Sequence, residues 1–316
     1  MGNVNQCETN QWPDIDSCEL NSLETVLRVC EAELVLVNGG APKAGVIAHV
    51  HDGALFASLQ TGMAVRGRFV LPSDWCLLAY LIATDSSVSW CHGLPMPQGS
   101  CINVLPQGVA EFSLSAGSHV LFTLVPMSRL PVIESSPLLA CAPQLLPGVR
   151  RCSQVAAYYA THIDSLLSGA FPSSAVQQLV DAHVQASAAP LVSDGLATAR
   201  ARKSRYLVFR RAEDFMRQNL NRQIYLQELC DTAGASERSL RYAFEELTGV
   251  SPSRYLSLMR LCEACRTLSQ ADASRNSVKS VALSCGLWDL SRFADSYRKV
   301  FGELPRQTLL RSAGVF

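Results

Sequence analysis

Hydrophobic and polar positions along this chain change their spacing between its first and second halves. From residue 44 to residue 130, apolar and polar side chains alternate in short runs separated by Gly, Pro, Asp and Ser. Such runs are typical of β-strands joined by turns and predict a small all-β sandwich or barrel. The predicted strands are Val46–Val50, Ala54–Leu59, Cys76–Ala83, Cys101–Leu105 and Val120–Val125. The preceding segment, Leu20 to Val37, has helical or mixed spacing.

Apolar residues then recur at three-to-four spacing over residues 155–167 and 176–184, which predicts two helices. These helices could cover the open side of the β domain or pair with a second chain, and the pattern leaves both roles open. The Pro-rich residues 131–147 predict a connecting loop before them. Residues 186–204 have no sustained apolar face and are interpreted as an interdomain linker. A helix from Tyr206 to Asn219 is expected to open the second domain.

The second half contains the same helix-turn-helix pattern twice. Leu229-Cys230 and Ala233-Gly234 match Val281-Ala282 and Cys285-Gly286 at an offset of 52, and four further positions match at an offset of 53. Each copy predicts a short helix, a Gly turn, a second helix and a Gly stop. The copies lie at about residues 224–247 and 277–301, joined by a helix over 253–268. A helix of that length spans roughly 24 Å, which can hold two recognition helices about one DNA turn apart.

The polar faces of the two second helices are the candidate DNA-reading surfaces. In a helix-turn-helix, the first half of the second helix reaches base edges in the major groove. Arginine suits this role because its guanidinium can bond two acceptors of guanine at once. The predicted DNA-binding residues are Ser236, also the expected N-cap, Arg238, Ser239, Arg241 and Tyr242 in the first copy, and Leu290, Ser291, Arg292, Asp295 and Arg298 in the second. The first copy is the more basic and is expected to supply more base specificity.

The charge distribution agrees with a nucleic-acid face at one end. The 316 residues have a net charge of zero, but residues 1–199 hold 7 basic and 15 acidic residues, a net charge of −8. Residues 200–316 hold 20 basic and 12 acidic residues, a net charge of +8. The chain is 48% hydrophobic, which excludes a disordered protein. It shows neither a membrane-length apolar run nor a basic, apolar leader, so we expect a cytoplasmic protein.

The twelve cysteines predict neither a disulfide framework nor a metal site. They are scattered among apolar neighbours, and the Cys262–Cys265 pair falls inside a predicted helix, on the face of Tyr255 and Met259. A zinc site would need two further ligands with suitable spacing. We therefore interpret these residues as core side chains and predict no metal and no cofactor.

The segment Gly286 to Pro305, GLWDLSRFADSYRKVFGELP, resembles the signature of the AraC/XylS family of bacterial transcription regulators. It is similar to the branch that contains XylS and the ethanolamine regulator EutR, and the resemblance covers about residues 205–312. It implies a transcription activator that binds direct repeats in double-stranded promoter DNA and recruits RNA polymerase. It also implies a cupin-like β-barrel that binds a small effector, a homodimer when active, and association with the nucleoid when bound to DNA.

Within the β domain, eight polar or aromatic residues could line an effector pocket. They are His49, His51, Arg66, Arg68, Trp75, Tyr80, Trp90 and His92. The resemblance makes this domain the effector-sensing half, and amines and aromatic carboxylates are effectors suggested by analogy with the branch.

The predicted fold is α+β, with three parts along the chain. Residues 1–185 form a cupin-like β-barrel for sensing and dimerisation with flanking helices, residues 186–204 a linker, and residues 205–316 an all-α double helix-turn-helix domain. The alternative is a cupin-type metal-dependent enzyme fused to a DNA-binding domain. His49 and His51 begin the His-x-His ligand pattern of such enzymes, but no glutamate follows at a suitable distance. The prediction is therefore a regulator and not an enzyme.

Overall fold

The computed structural model describes residues 31–37, 44–84, 89–105, 108–130, 148–187 and 196–312, and the predicted loop at 131–147 lies outside them. The β-strands are β1 Glu31–Leu36, β2 Ala44–His51, β3 Ala54–Thr61, β4 Val65–Val70, β5 Trp75–Ala83, β6 Trp90–Cys91, β7 Leu94–Pro95, β8 Ser100–Val104, β9 Val109–Leu114, β10 His119–Pro126 and β11 Gly148–Arg151. The helices are α1 Ser153–Ser168, α2 Ala175–Ala186, α3 Leu196–Gln218, α4 Leu226–Ala233, α5 Glu237–Thr248, α6 Pro252–Gln270, α7 Val278–Ser284, α8 Leu290–Phe301 and α9 Pro305–Ser312. None of these helices is long and apolar enough to cross a membrane.

The strands form two antiparallel sheets, with the order β1-β4-β9-β6-β7 in one and β11-β8-β5-β10-β3-β2 in the other. The predicted α+β fold, with a β-rich N-terminal domain and a helical C-terminal domain, is confirmed. The β domain is not a closed barrel, because strand pairing in the described residues does not join the two sheets into one ring. The edge strand β1 pairs with β4 on one side and faces helix α6 on the other. There the backbone N–H of Leu36 donates to the Cys262 sulfur at 3.4 Å.

Two apolar layers hold the N-terminal half together. The facing sides of the two sheets share one core, which includes Leu77, Leu81, Phe112 and Phe122. The other side of the six-stranded sheet is covered by α1 and α2, and this second core includes Tyr159 of α1. The two helices therefore cover the β domain of their own chain.

The structure confirms the five predicted strands and the two predicted helices that follow them. Residues 31–36, which have helical or mixed spacing in the sequence, form β1 instead. Helix α3 begins at Leu196, so the second half of the predicted linker is helical. This helix is extended because Arg202 and Arg205 both pair with Glu246 of α5 and hold its first turns against the second domain.

A buried histidine between α2 and the six-stranded sheet gives the β domain a predictable pH dependence. His183 is fully buried, and its Nδ1 lies 2.7 Å from Oδ1 of Asn103. Its Nε2 has no hydrogen-bond partner among the residues that the structure describes. Burial lowers the pKa of His183 to about 3. In the unfolded chain the imidazole has its ordinary pKa of about 6.5 and binds a proton below that pH, whereas in the folded chain it stays neutral. The free energy of unfolding therefore decreases as the pH falls from about 6.5 towards the pKa of the folded state.

We expect the His183→Gln variant to lack this pH dependence. Between pH 7 and pH 5 the wild-type free energy of unfolding should fall by about 2 kcal/mol more than that of the variant. Urea unfolding followed by circular dichroism at both pH values measures the difference. Equal losses in the two proteins would show that His183 is not held neutral in the fold.

Candidate nucleic-acid interface

Helices α4 and α5 form the first helix-turn-helix unit. Ser236 caps α5 as predicted, since its hydroxyl accepts from the backbone N–H of Ser239 at 3.3 Å. Leu240, Phe244 and Leu247 are buried and fix α5 against the rest of the domain. Because these three side chains point inward, the opposite face of α5 is exposed to solvent.

The outward face of α5 carries the residues that were predicted to read DNA. Arg238 is exposed and makes no ion pair within the part of the chain that the structure describes. Arg241 donates through Nε and Nη2 to one oxygen of Glu237, at 2.9 and 2.7 Å. The exposed ring of Tyr242 lies 5.3 Å from the guanidinium carbon of Arg205. Arg238 can therefore approach DNA directly, whereas Arg241 must exchange Glu237 for a base or phosphate.

Helices α7 and α8 form the second unit. Asp289 caps α8, because its Oδ1 accepts from the backbone N–H of Arg292 at 3.0 Å. Ser291, Arg292, Asp295 and Arg298 are all exposed on the outward face. The remaining predicted contact, Leu290, is half-buried and packs against the core of the domain. Its apolar surface is thus partly used within the protein.

Helix α6 connects the two units. It has 19 residues and extends beyond the predicted range 253–268 by one residue at its start and two at its end. It begins at Pro252, one residue before the predicted start, and Ser251 is its N-cap. Its Arg260 is half-buried and bonds within the helical domain. The guanidinium donates to the backbone carbonyls of Leu220 and Arg222, at 3.0 and 2.5 Å, and so ties α6 to the loop before α4. One helix therefore connects the two units, and the Arg260 hydrogen bonds fix it against the loop before α4.

Comparison with known proteins agrees with this geometry. The family described as "Helix-turn-helix domain" matches residues 229–311, from α4 to α9. The XylDLEGF operon transcriptional activator of Pseudomonas putida is 39% identical over 101 residues, 32% of either chain. The transcriptional activator RhaS of Pectobacterium carotovorum is 32% identical over 92 residues, 29% of this chain and 32% of RhaS. The helical half of the chain belongs, by this similarity, with the AraC/XylS family.

Other comparisons concern the same AraC/XylS region. The XylDLEGF operon transcriptional activator 2 of Pseudomonas putida is 40% identical over 101 residues, 32% of this chain and 64% of that protein. A crystal structure of a probable AraC family regulator from Rhodopseudomonas palustris is 36% identical, covering 33% of this chain and 96% of that one, with a TM-score of 0.31. The matches span about a third of the length of the first relatives, so the similarity concerns the DNA-binding half.

The eight predicted effector residues do not converge on one pocket. His49 and His51 lie near Phe171, which follows α1, and Tyr80 stacks on Tyr159. Trp75 is half-buried at the start of β5, and His92 is exposed in a turn with a φ of 50°. The cavity between the sheets, about 80 Å³, is lined by apolar side chains and by none of the eight. The remaining three, Arg66, Arg68 and Trp90, lie on the side of the β domain that faces the helical domain.

That side contains a buried ion cluster that was not predicted from the sequence. Nη2 of Arg66 lies 2.7 Å from Oε2 of Glu213 on α3 and 3.6 Å from Oε2 of Glu111 on β9. Tyr206 donates to Glu111, and Tyr255 of α6 donates to Glu213 at 2.5 Å. The three charged residues are 1% exposed. The sequence does contain one sign of this cluster. Glu213 lies on the same face of the predicted helix as the apolar residues Phe209 and Met216, so its carboxylate is placed on the buried side.

The electrostatics of the cluster favour the charged forms of Arg66 and Glu111. Burial alone would lower the pKa of the Arg66 guanidinium, but Glu213, Tyr255 and Glu111 raise it above its ordinary value. Burial would raise the pKa of Glu111, but Arg66, Tyr206 and further cations hold it below its ordinary value. The charges of Arg66 and Glu111 are therefore stabilised by partners that include residues of the helical domain.

No described group of three or more His, Cys, Asp or Glu side chains could hold a metal ion. His49 and His51 face the loop after α1, and Nε2 of His51 lies 3.1 Å from the carbonyl oxygen of Pro172. No described cysteine forms a disulfide, and Cys262 and Cys265 are buried in α6. The described residues contain two features of chemical interest, a candidate DNA-reading surface and the ion cluster between the β domain and the helical domain.

Proposed function

We propose that this chain is a transcription regulator that binds double-stranded DNA sequence-specifically and activates transcription. The observation that carries the proposal is the pair of helix-turn-helix units on α6, each with an exposed polar face that includes arginine. The relatives that match this region are named as transcriptional activators. The family is one of transcription regulators, and the proposal includes no enzymatic activity.

The proposal has further parts that concern partners. The two units would contact direct repeats about one helical turn apart, and the DNA-bound protein would contact RNA polymerase. A small effector would control the regulator, which would pair as a homodimer when active. Such a protein works on the chromosome, so we also propose that it is cytoplasmic and joins the nucleoid through DNA.

Selection of binding sequences from random duplexes by the full chain tests the DNA part directly. We expect enriched duplexes with two half-sites separated by about 10.5 base pairs. Replacing Arg238 or Arg241 with Ala should weaken binding to the enriched duplex by 1–3 kcal/mol, about five- to 150-fold, if that arginine bonds a base. Fluorescence anisotropy titrations at several salt concentrations give both the affinity and the salt dependence.

The control for lost charge is Arg129→Ala, which removes an exposed arginine that pairs with Asp52 on the β domain. This variant should bind the duplex like the wild type. A base-reading arginine relaxes the preference at one position, whereas a phosphate-binding arginine lowers the salt slope by about 1. No enriched sequence, or equal affinities for all four proteins, would refute the proposal.

A further inference from the structure

The turns of the two helix-turn-helix units begin in the same way. The backbone N–H of Ala235 donates to the carbonyl of Cys230 at 3.0 Å, and that of Leu287 donates to the carbonyl of Ala282 at 2.9 Å. The side chains of Ala235 and Leu287 are both half-buried and pack against the core of the domain. These two residues therefore occupy equivalent positions in the two turns.

After this point the second turn is one residue longer than the first. In the first unit, Ala235 is followed directly by Ser236, the N-cap of α5. In the second unit, Trp288 separates Leu287 from Asp289, the N-cap of α8. Trp288 is therefore an extra residue that the helix-turn-helix geometry of the first unit does without.

The exposure of this extra residue is unusual for a tryptophan of this chain. The side chain of Trp288 is 60% exposed, whereas Trp90 is 2% exposed and its indole N–H donates to the carbonyl of Leu247. Trp75 is half-buried. Exposing a large apolar ring to water costs free energy, and the indole N–H is a donor that a partner outside the chain could use. The insertion of an exposed tryptophan into a short turn therefore indicates a contact with another molecule.

The position of Trp288 favours DNA as that molecule. Trp288 directly precedes the N-cap of α8, and the N-terminal end of this second helix is the end that enters the major groove. Ser291 and Arg292, within the first turn of α8, are both exposed at the same end. A side chain just outside the inserted end lies beside the sugar–phosphate backbone that borders the groove. Phosphate oxygens are acceptors for a donor such as the indole N–H.

We propose that Trp288 anchors the second unit to the DNA backbone. Its ring packs on a deoxyribose, and its Nε1–H donates to a phosphate oxygen of the second half-site. Contacts to phosphate and sugar fix the register of a protein on the duplex and carry no base information directly. The inference rests on the proposed function, since it assigns a positioning residue for DNA binding. It also assigns this role to the second unit alone, because the first unit has no residue equivalent to Trp288.

Two substitutions of Trp288 in the full chain separate the two parts of the contact. Trp288→Ala removes both the ring and the N–H, and we expect it to weaken binding to the enriched duplex about tenfold or more. Trp288→Phe keeps an apolar ring and loses the N–H, so its affinity should lie between those of Trp288→Ala and the wild type. Fluorescence anisotropy titrations measure the three affinities. Val50→Ala is the control, because it removes a 43% exposed apolar side chain from β2 of the β domain and should bind like the wild type.

A scan of the enriched duplex with single methylphosphonate linkages locates the phosphate. At one position in the second half-site, the uncharged linkage should weaken binding by the wild type and leave the affinity of Trp288→Phe unchanged. Titrations against duplexes with single base-pair changes should give the same base preferences for the wild type and Trp288→Ala, because a backbone contact reads no base. Native circular dichroism of both variants shows that they are folded.

Three results would overturn the inference. The first is equal affinity of wild type and Trp288→Ala for the enriched duplex, which would assign the exposed ring to a protein partner. The second is a base preference relaxed at one position in Trp288→Ala, which would make the contact a base contact. The third is the absence of any methylphosphonate position that separates wild type from Trp288→Phe. In each of these cases the wild type still selects a duplex, so the proposed function stands, whereas failure of the wild type to select any duplex would remove both.

Discussion

Replacing Arg66 with methionine is expected to lower the free energy of unfolding by about 3–5 kcal/mol, because it leaves buried carboxylates without their shared cation. Glu111 and Glu213 are each 1% exposed and come from different domains. The guanidinium also lies 5.0 Å from the ring centre of Trp90, whose indole N–H donates to the carbonyl of Leu247 in α5 at 2.7 Å. The variant should therefore also loosen the contact between the two domains.

Urea unfolding of the full chain, followed by circular dichroism and tryptophan fluorescence, measures this loss. The matched control is Arg129→Met, where an exposed pair with Asp52 is worth about 0–1 kcal/mol. Adding Glu213→Gln to Arg66→Met should restore part of the stability, because a neutral amide is cheaper to bury than an unpaired carboxylate. Equal small losses for Arg66→Met and Arg129→Met would mean that the cluster is open to water in solution.

The same cluster explains why strands β4 and β9 were not predicted from the sequence. Strand β4 reads VRGRFV and strand β9 reads VAEFSL, so charged residues occupy positions that the fold buries. Alternation of polar and apolar residues would place Arg66 and Glu111 in solvent. Their real environment depends on Glu213, a residue 147 positions after Arg66. Local patterns carry no information about such a partner, so neither the strands nor the interdomain site could be predicted.

The helical half was easier to predict because its signals are local. Ser236, Ser251 and the glycines that end α5 and α8 mark helix boundaries through contacts within a few residues. The effector residues show the limit of such reasoning. Polar and aromatic side chains in the β domain were grouped by type, yet the fold distributes them between the α1 side and the helical domain. Their role in effector binding stays a prediction, and only Arg66 and Arg68 among them line a cleft between the β domain and the helical domain.

Gly286→Ala is expected to be far more damaging than the equivalent change in the first unit, Gly234→Ala. Both glycines follow the first helix of their unit with a positive φ, +72° and +64°. A methyl group at Gly286 would lie 2.3 Å from the carbonyl oxygen of Leu220 and 3.1 Å from Nε of Arg260. At Gly234 it would meet only Nη1 of Arg211, at 3.7 Å, which is ordinary contact. The two substitutions therefore share backbone strain and differ in the clash.

The strain alone costs about 1–2 kcal/mol, which is the loss expected for Gly234→Ala. The clash adds about 1–3 kcal/mol at Gly286, because the Leu220 carbonyl is backbone and also accepts from Arg260. Gly286→Ala should thus lose about 2–5 kcal/mol in urea unfolding. It should also weaken binding to the enriched duplex, since the methyl pushes α7 and α8 away from α6. Equal losses in the free energy of unfolding for the two variants would contradict this prediction. They would show that the loop before α4 can move to accommodate the methyl group and that Arg260 does not hold the second unit in place.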